Sequence, residues 1–179
     1  MAPLIVGVCG LARAGKDTFI NTVVNAYPAG TIAVDQWAAP VKAATAHIFD
    51  LTREHVEGIG FDREAPYFWG GLTVRDALRD VGMLGRKYDP DFWVDKALAR
   101  IDTLSAKVVL MSGTRFMNEL TVCDASVWIH RPGLEADDHP SETSLDPWDC
   151  DDVILNTGDL EDLDRMAQIW ARRALGVLG

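Results

Sequence analysis

The stretch GVCGLARAGKDTF, Gly7 to Phe19, decides how the rest of the chain is read. Gly10, Gly15 and Lys16 stand in the register G-x-x-x-x-G-K of a phosphate-binding loop. Both flanks agree. Leu4 to Cys9 is a near-continuous apolar run, as in a parallel strand buried on both faces, and DTFINTVVNAY places Phe19, Ile20, Val23 and Val24 at helical spacing. Glycines let backbone N–H groups turn inward around an anion, and the helix N-terminus adds partial positive charge. Lys16 is expected to reach between the β- and γ-phosphates of a nucleoside triphosphate. The competing reading is a tight strand-to-helix turn with a surface lysine.

Such loops follow the lysine with a Ser or Thr hydroxyl for Mg²⁺; here the residue is Asp17. A carboxylate is a hard-oxygen ligand, so Asp17 is the expected Mg²⁺ ligand, with metal and nucleotide binding together. Thr18 remains to hydrogen-bond a phosphate oxygen. Gly10, Ala12, Arg13, Ala14, Gly15, Lys16, Asp17 and Thr18 thus form the expected ATP site. Arg13 either neutralises the transferring phosphoryl group or faces solvent at the loop tip.

Beyond the loop, strands and helices alternate. TIAV, 31–34, predicts a second strand ending at Asp35, and Pro40 suits the first turn of a helix to about Phe49. Residues 52–71 mix a short helical piece with an aromatic, loop-like stretch. Thr73 reads as the N-cap of VRDALRDV, with Gly82 at its C-terminal cap. A helix is predicted from Asp91 to about Leu104. Strands KVVLMS, 107–112, and SVWIHR, 126–131, are separated by the helix-like FMNELTVCDA. A long polar segment, 132–152, precedes a last strand, VILN, 153–156, and a closing amphipathic helix; loops of that length are usually functional. The pattern predicts an α/β fold, a parallel sheet flanked by helices on both faces.

Composition narrows the function. With 179 residues, 48% hydrophobic and 25% charged, the chain suits one soluble domain with a real core. Its net charge of −10 argues against nucleic-acid and membrane partners, though a small anion can bind where the few cations converge. No apolar run approaches the roughly 20 residues of a membrane span. The N-terminus reads as a first strand, not a signal peptide, and Cys9, Cys123 and Cys150 as reduced thiols, so the expected location is the cytoplasm.

Several segments, in order, resemble the deoxynucleoside monophosphate kinases of tailed bacteriophages. They are GLARAGKDT, WAAPVK (37–42), TVRDAL with GMLGR and DFWVDKAL, TRFMNE (114–119), HRPG (130–133), HPSE (139–142) and ILNTGDLEDL (154–163). The resemblance implies a P-loop kinase fold over 1–179. Its core would be 1–34 and 106–179, with a helical acceptor-binding insertion at about 35–105 and a lid at about 132–152. It implies ATP and a deoxynucleoside monophosphate (dNMP) as ligands, Mg²⁺ as cofactor, and is compatible with a homodimer. A phosphate acceptor is substantially ionised near neutral pH, its second pKa being about 6, so transfer calls for cations rather than a general base.

On that basis Lys16, Arg13, Arg115 and Arg131 are the expected catalytic cations. Asn156 is expected to border the adenine or to serve as a turn residue. Asp35, Trp37, Lys42, Arg75, Arg86, Trp93 and Glu142 are the expected dNMP-binding residues, set against surface ion pairs for Lys42 and Arg75 and a core role for Trp93. Asn118 and Glu119 are expected to buttress Arg115. The chain departs from the family at Gly113, where Asp is common, and at Arg79 and Met83. Dephospho-coenzyme A kinase, with Asp35 as base toward a ribose hydroxyl, is the nearest rival. A nucleotide-binding protein without transfer activity is another.

Overall fold

The fold is described from a computed structural model, covering residues 2–136 and 138–176. In chain order the elements are β1 (Leu4–Cys9), α1 (Lys16–Asn25), β2 (Ile32–Gln36), α2 (Ala39–Ile48), α3 (Arg53–Glu57), α4 (Val74–Tyr88), α5 (Phe92–Ile101), β3 (Val108–Ser112), α6 (Met117–Leu120), β4 (Ala125–His130), α7 (Pro140–Thr143), β5 (Asp152–Leu155) and α8 (Leu160–Leu175). The strands form one parallel sheet in the order β2-β3-β1-β4-β5. This is an α/β fold, one parallel sheet flanked by helices. β1 lies between β3 and β4, so successive strands leave it on opposite sides, and open sheets bind ligands at the carboxyl end of such a switch.

Alternation along β1 sorts the core into two faces. Val6 and Val8 face α1 and α8, meeting Phe19, Ile20, Val23, Leu163, Ala167 and Trp170 in the main cluster. Phe19 and Trp170 pack at a tilt with ring centroids 5.3 Å apart. Trp170 keeps its polar end satisfied, donating from Nε1 to Asp152 at 2.8 Å. Cys9 belongs to the opposite face, in a smaller cluster with Leu120, Trp128 and Leu145, against which Leu11 and Cys150 pack. Gly7 is on that face too; a Cβ there would lie 3.1 Å from Cys123 Sγ and 3.2 Å from Thr114 Oγ1. Cysteines more than a hundred residues apart in sequence therefore gather beside β1.

The described residues divide into two compact units, one up to Gln36 and from Arg100 onward, the other Trp37–Ala99. The second unit is helical. Val41, Val81 and Trp93 form one of its clusters, and Leu51, Val56 and Val74 another. Thr73 caps α4 as the sequence predicts: its hydroxyl accepts from Asp76 N at 3.1 Å, and the Asp76 carboxylate accepts Thr73 N–H at 2.9 Å.

Gly82 does not end that helix. α4 runs on to Tyr88, with Gly82 and Gly85 buried in its interior. The reason is Trp93. Its Nε1 donates to Gly82 O at 2.8 Å, and a Cβ on Gly85 would fall 2.5 Å from that same nitrogen. The glycines provide a seat for an indole, and the propensity cost of about 1 kcal/mol each is offset by packing. Two other helices are shorter than predicted. α5 ends at Ile101, and of FMNELTVCDA only Met117–Leu120 is helical. No helix of the described residues is long and apolar enough to cross a membrane.

Candidate active site

Positive φ shapes the loop after β1: Gly10 at 128°, Arg13 at 64° and Gly15 at 102°. Alternating right- and left-handed backbone gathers N–H groups into an anion-binding concavity, which explains a non-glycine residue in the left-handed region at Arg13. The outer glycines are also demanded by space. A Cβ on Gly10 would meet Ile129 O at 2.5 Å, and one on Gly15 would meet Asn156 Nδ2 at 2.7 Å. Ala14 is buried, whereas Ala12 and Arg13 are exposed on the loop's outer side.

Lys16 opens α1, and its ammonium is turned back onto the loop, donating to Gly10 O at 2.9 Å and Leu11 O at 2.7 Å. Burial, and next the nearby Arg115 guanidinium, lower its pKa from 10.5 to about 8, while Glu142, Asp17 and Cys9 act in the other direction. A cation under that strain is poised to gain from a phosphate. Asp17 lies exposed in the first turn of α1. Among the described residues no group of three His, Cys, Asp or Glu side chains is arranged to hold a metal. A lone exposed carboxylate beside a phosphate loop does fit Mg²⁺, which is commonly held by one or two carboxylates plus the substrate's phosphates.

Arg115 follows β3 in the same unit. Its Nη1 forms an ion pair with the Glu142 carboxylate and also donates to Ser141 O at 3.2 Å. Buried Glu119 fixes the Arg115 backbone, accepting from Arg115 N at 2.8 Å and Phe116 N at 3.2 Å. The buttressing predicted for Glu119 is therefore real. Gly113 adopts φ 70°, and its N–H and that of Thr114 both donate to Val8 O. That left-handed position favours Gly.

Other expected ligand residues have structural partners. Asn156 is buried beneath the loop, its Nδ2 donating to Ala14 O at 2.8 Å, which holds the loop's shape. Asp35 has both oxygens engaged by Arg100 (Nε 2.7 Å, Nη2 2.8 Å), and Gln36 N adds a third bond at 2.7 Å. Arg100, on the last turn of α5, is the residue the sequence reading missed; an arginine at a helix end carries no motif. Trp93, expected to stack on a base, is enclosed with Val41 and Val81. Trp37 is buried as well.

In the second unit, Lys42 pairs with Glu57 at 2.5 Å and Arg75 with Glu64 at 3.0 Å, while Arg86 Nη1 donates to Gly82 O at 3.4 Å. Arg131 is exposed just past the end of β4. His139 caps α7, its Nδ1 accepting from Ser141 N at 3.1 Å. Beside the loop, a hydrogen bond between the Cys9 and Cys150 thiols raises the first pKa and lowers the second, and burial raises that of Cys123 to about 12.

No family model matches the chain. It is similar to an uncharacterized protein, ORF77, of Ictalurid herpesvirus 1 (strain Auburn), with 29% identity over 160 residues, covering 82% of this chain and 68% of that protein. Among solved structures it is similar to TT1252 from Thermus thermophilus, with a TM-score of 0.57 and 16% identity over the whole of both chains. A dephospho-CoA kinase from Campylobacter jejuni aligns over 100% of this chain and 99% of its own, with a TM-score of 0.49 and 13% identity. At such identities the likeness to TT1252 is one of fold.

Proposed function

We propose that the protein is a Mg²⁺-dependent deoxynucleoside monophosphate kinase, passing the γ-phosphoryl group of ATP to a dNMP. The observation that carries kinase chemistry is the pairing of the Gly10–Lys16 loop with a second cation, Arg115, near enough to depress the pKa of Lys16. A loose phosphoryl-transfer transition state is stabilised by positive charge and alignment. In the proposed step an acceptor phosphate oxygen attacks the γ-phosphorus in line, the bond to the β-bridging oxygen breaks, and ADP leaves. Lys16 and Arg115 hold the charge of the transferring group, and Thr18 orients a phosphate oxygen. Mg²⁺, with Asp17 as its protein ligand, would neutralise charge on the β- and γ-phosphates.

The acceptor class rests on the sequence segments that resemble the phage kinases; Lys42, Arg75 and Arg86 are assigned to the acceptor's phosphate. The rival needs Asp35 as a base toward a hydroxyl, and both oxygens of that carboxylate are already committed to Arg100.

The test is ADP release from ATP and Mg²⁺ against dTMP, dGMP, dCMP, dAMP, the ribonucleotides and dephospho-coenzyme A. Stimulation by one or more deoxynucleotides is expected. Turnover of dephospho-coenzyme A alone would transfer the assignment to the rival class, and ATP binding without any turnover would reduce the protein to a nucleotide binder. Asp17→Asn should raise the Mg²⁺ concentration needed for half-maximal rate about tenfold, the order expected for loss of a charged ligand. An unchanged requirement would remove Asp17 from the metal site.

A further inference from the structure

Glu142 stands where an acidic residue is least expected in a protein that binds phosphate. Its side chain is only 5% accessible, and it pairs directly with Arg115, which lies close enough to the loop to act on Lys16. The pair is a poor source of stability, because desolvating two charges offsets most of their attraction. Its effect on the empty site is electrostatic. Lys16 and Arg115 are like charges close enough to act on each other, and Glu142 is the carboxylate that opposes both.

We propose that Glu142 is an intramolecular counter-anion, occupying the oxyanion position at Arg115 while the loop is empty and surrendering it to a phosphate of the incoming nucleotide. The inference rests on the assignment of the loop to nucleotide phosphates. A polyphosphate bound on the loop and the Glu142 carboxylate are like charges competing for one guanidinium, and the more highly charged competitor wins. Ser141 O, the other acceptor of Arg115 Nη1, sits on the adjoining residue of α7. Release of Arg115 therefore unfastens this short helix at two neighbouring points. Glu142 is thus a switch residue acting through Arg115, with no role as a ligand of the acceptor.

The experiment is calorimetric titration of Mg²⁺-free inorganic tripolyphosphate into wild type, Glu142→Gln, Arg115→Met and the double variant. Glu142→Gln keeps the side chain's shape and removes its charge. It should bind tripolyphosphate about tenfold more tightly than wild type, on the order expected for removing one competing charge at this range. In the Arg115→Met background the same substitution should have an effect under twofold, since the guanidinium competed for is gone. A packing role for Glu142 would instead weaken binding in both backgrounds. Hydrogen exchange on wild type gives a readout free of variants: the α7 amides should exchange faster when tripolyphosphate saturates the loop. Slower or unchanged exchange, or Glu142→Gln binding no tighter than wild type, overturns the counter-anion. Absence of tripolyphosphate binding to every form overturns it together with the phosphate loop itself.

Discussion

Replacing Lys16 by Met should make the ligand-free protein more stable while abolishing its binding of nucleotide. The unfolded chain holds the lysine's proton up to its ordinary pKa of 10.5, and the folded protein releases it at about 8. At about 1.36 kcal/mol for each pH unit between those values, keeping this ammonium charged in the fold costs about 3 kcal/mol below pH 8. The bonds to Gly10 O and Leu11 O return about 1 kcal/mol, since those carbonyls lie on a loop that water can reach. Lys16→Met should therefore gain about 2 kcal/mol at pH 7, or ~4–8 °C in Tm for a chain of this size. The sign reverses with pH. Between 8 and 10.5 the unfolded state binds more protons, so wild type gains stability as pH rises and the variant's advantage disappears at about pH 9.5. Urea unfolding of both proteins in phosphate-free buffers at pH 7, 8, 9 and 10 reads the difference directly, other titrating groups cancelling. A variant less stable at pH 7, or a difference flat in pH, would refute the account of Lys16 as a strained cation awaiting an anion.

Two further substitutions test how the site is supported. Gly85→Ala should destabilise the helical unit by about 1–3 kcal/mol, because its Cβ would drive into Trp93 Nε1; urea melts followed by tryptophan fluorescence would show it. Asn156→Ala should leave the Ala14 carbonyl unpaired beneath the loop, costing about 1–3 kcal/mol in stability. It should also raise the KM for ATP several-fold through a loosened loop, and steady-state kinetics at varied ATP would detect this; an unchanged KM would mean the loop keeps its shape without that bond.

The parts of this protein that were legible in its sequence are those whose physics is local. The phosphate loop occupies six residues, Gly10–Gly15, between a buried strand and a helix, and its glycines answer backbone demands that a motif encodes. The β/α alternation, the Thr73 cap and the proline at the start of α2 are readable for the same reason. What the sequence did not show are contacts over distance. Gly82 has the local signature of a helix stop, yet the helix runs through it, its carbonyl accepting from the Trp93 indole while Gly85 leaves the space that indole needs. Asp35 at a strand end looks like a free carboxylate until Arg100, sixty-five residues on, closes over it. Asn156 has turn chemistry in sequence, yet its partner is Ala14, 142 residues earlier. Lys42 and Arg75 sit in the ion pairs offered as their alternative reading, while the partner of Arg115, Glu142, was not foreseen.

Those partners bear on selectivity. Lys42 is matched by Glu57, Arg75 by Glu64 and Arg115 by Glu142, in a chain whose net charge is −10. These three of the cations assigned to phosphates are thus engaged with internal carboxylates before any ligand arrives. A ligand must outcompete those carboxylates one by one, and diffuse polyanions such as nucleic acid, with about one charge per 1.7 Å of duplex, also meet the repulsion of the whole acidic surface. A nucleotide concentrates several charges in a few ångströms and, under the proposed function, arrives with Mg²⁺ to offset Asp17. Internal carboxylates would then weaken binding of every anion, but weaken it least for the compact, metal-loaded ones. Raising ionic strength separates this from simple steering: a duplex oligonucleotide should bind poorly even at low salt, and ATP with Mg²⁺ should retain most of its affinity at salt concentrations that screen surface charge.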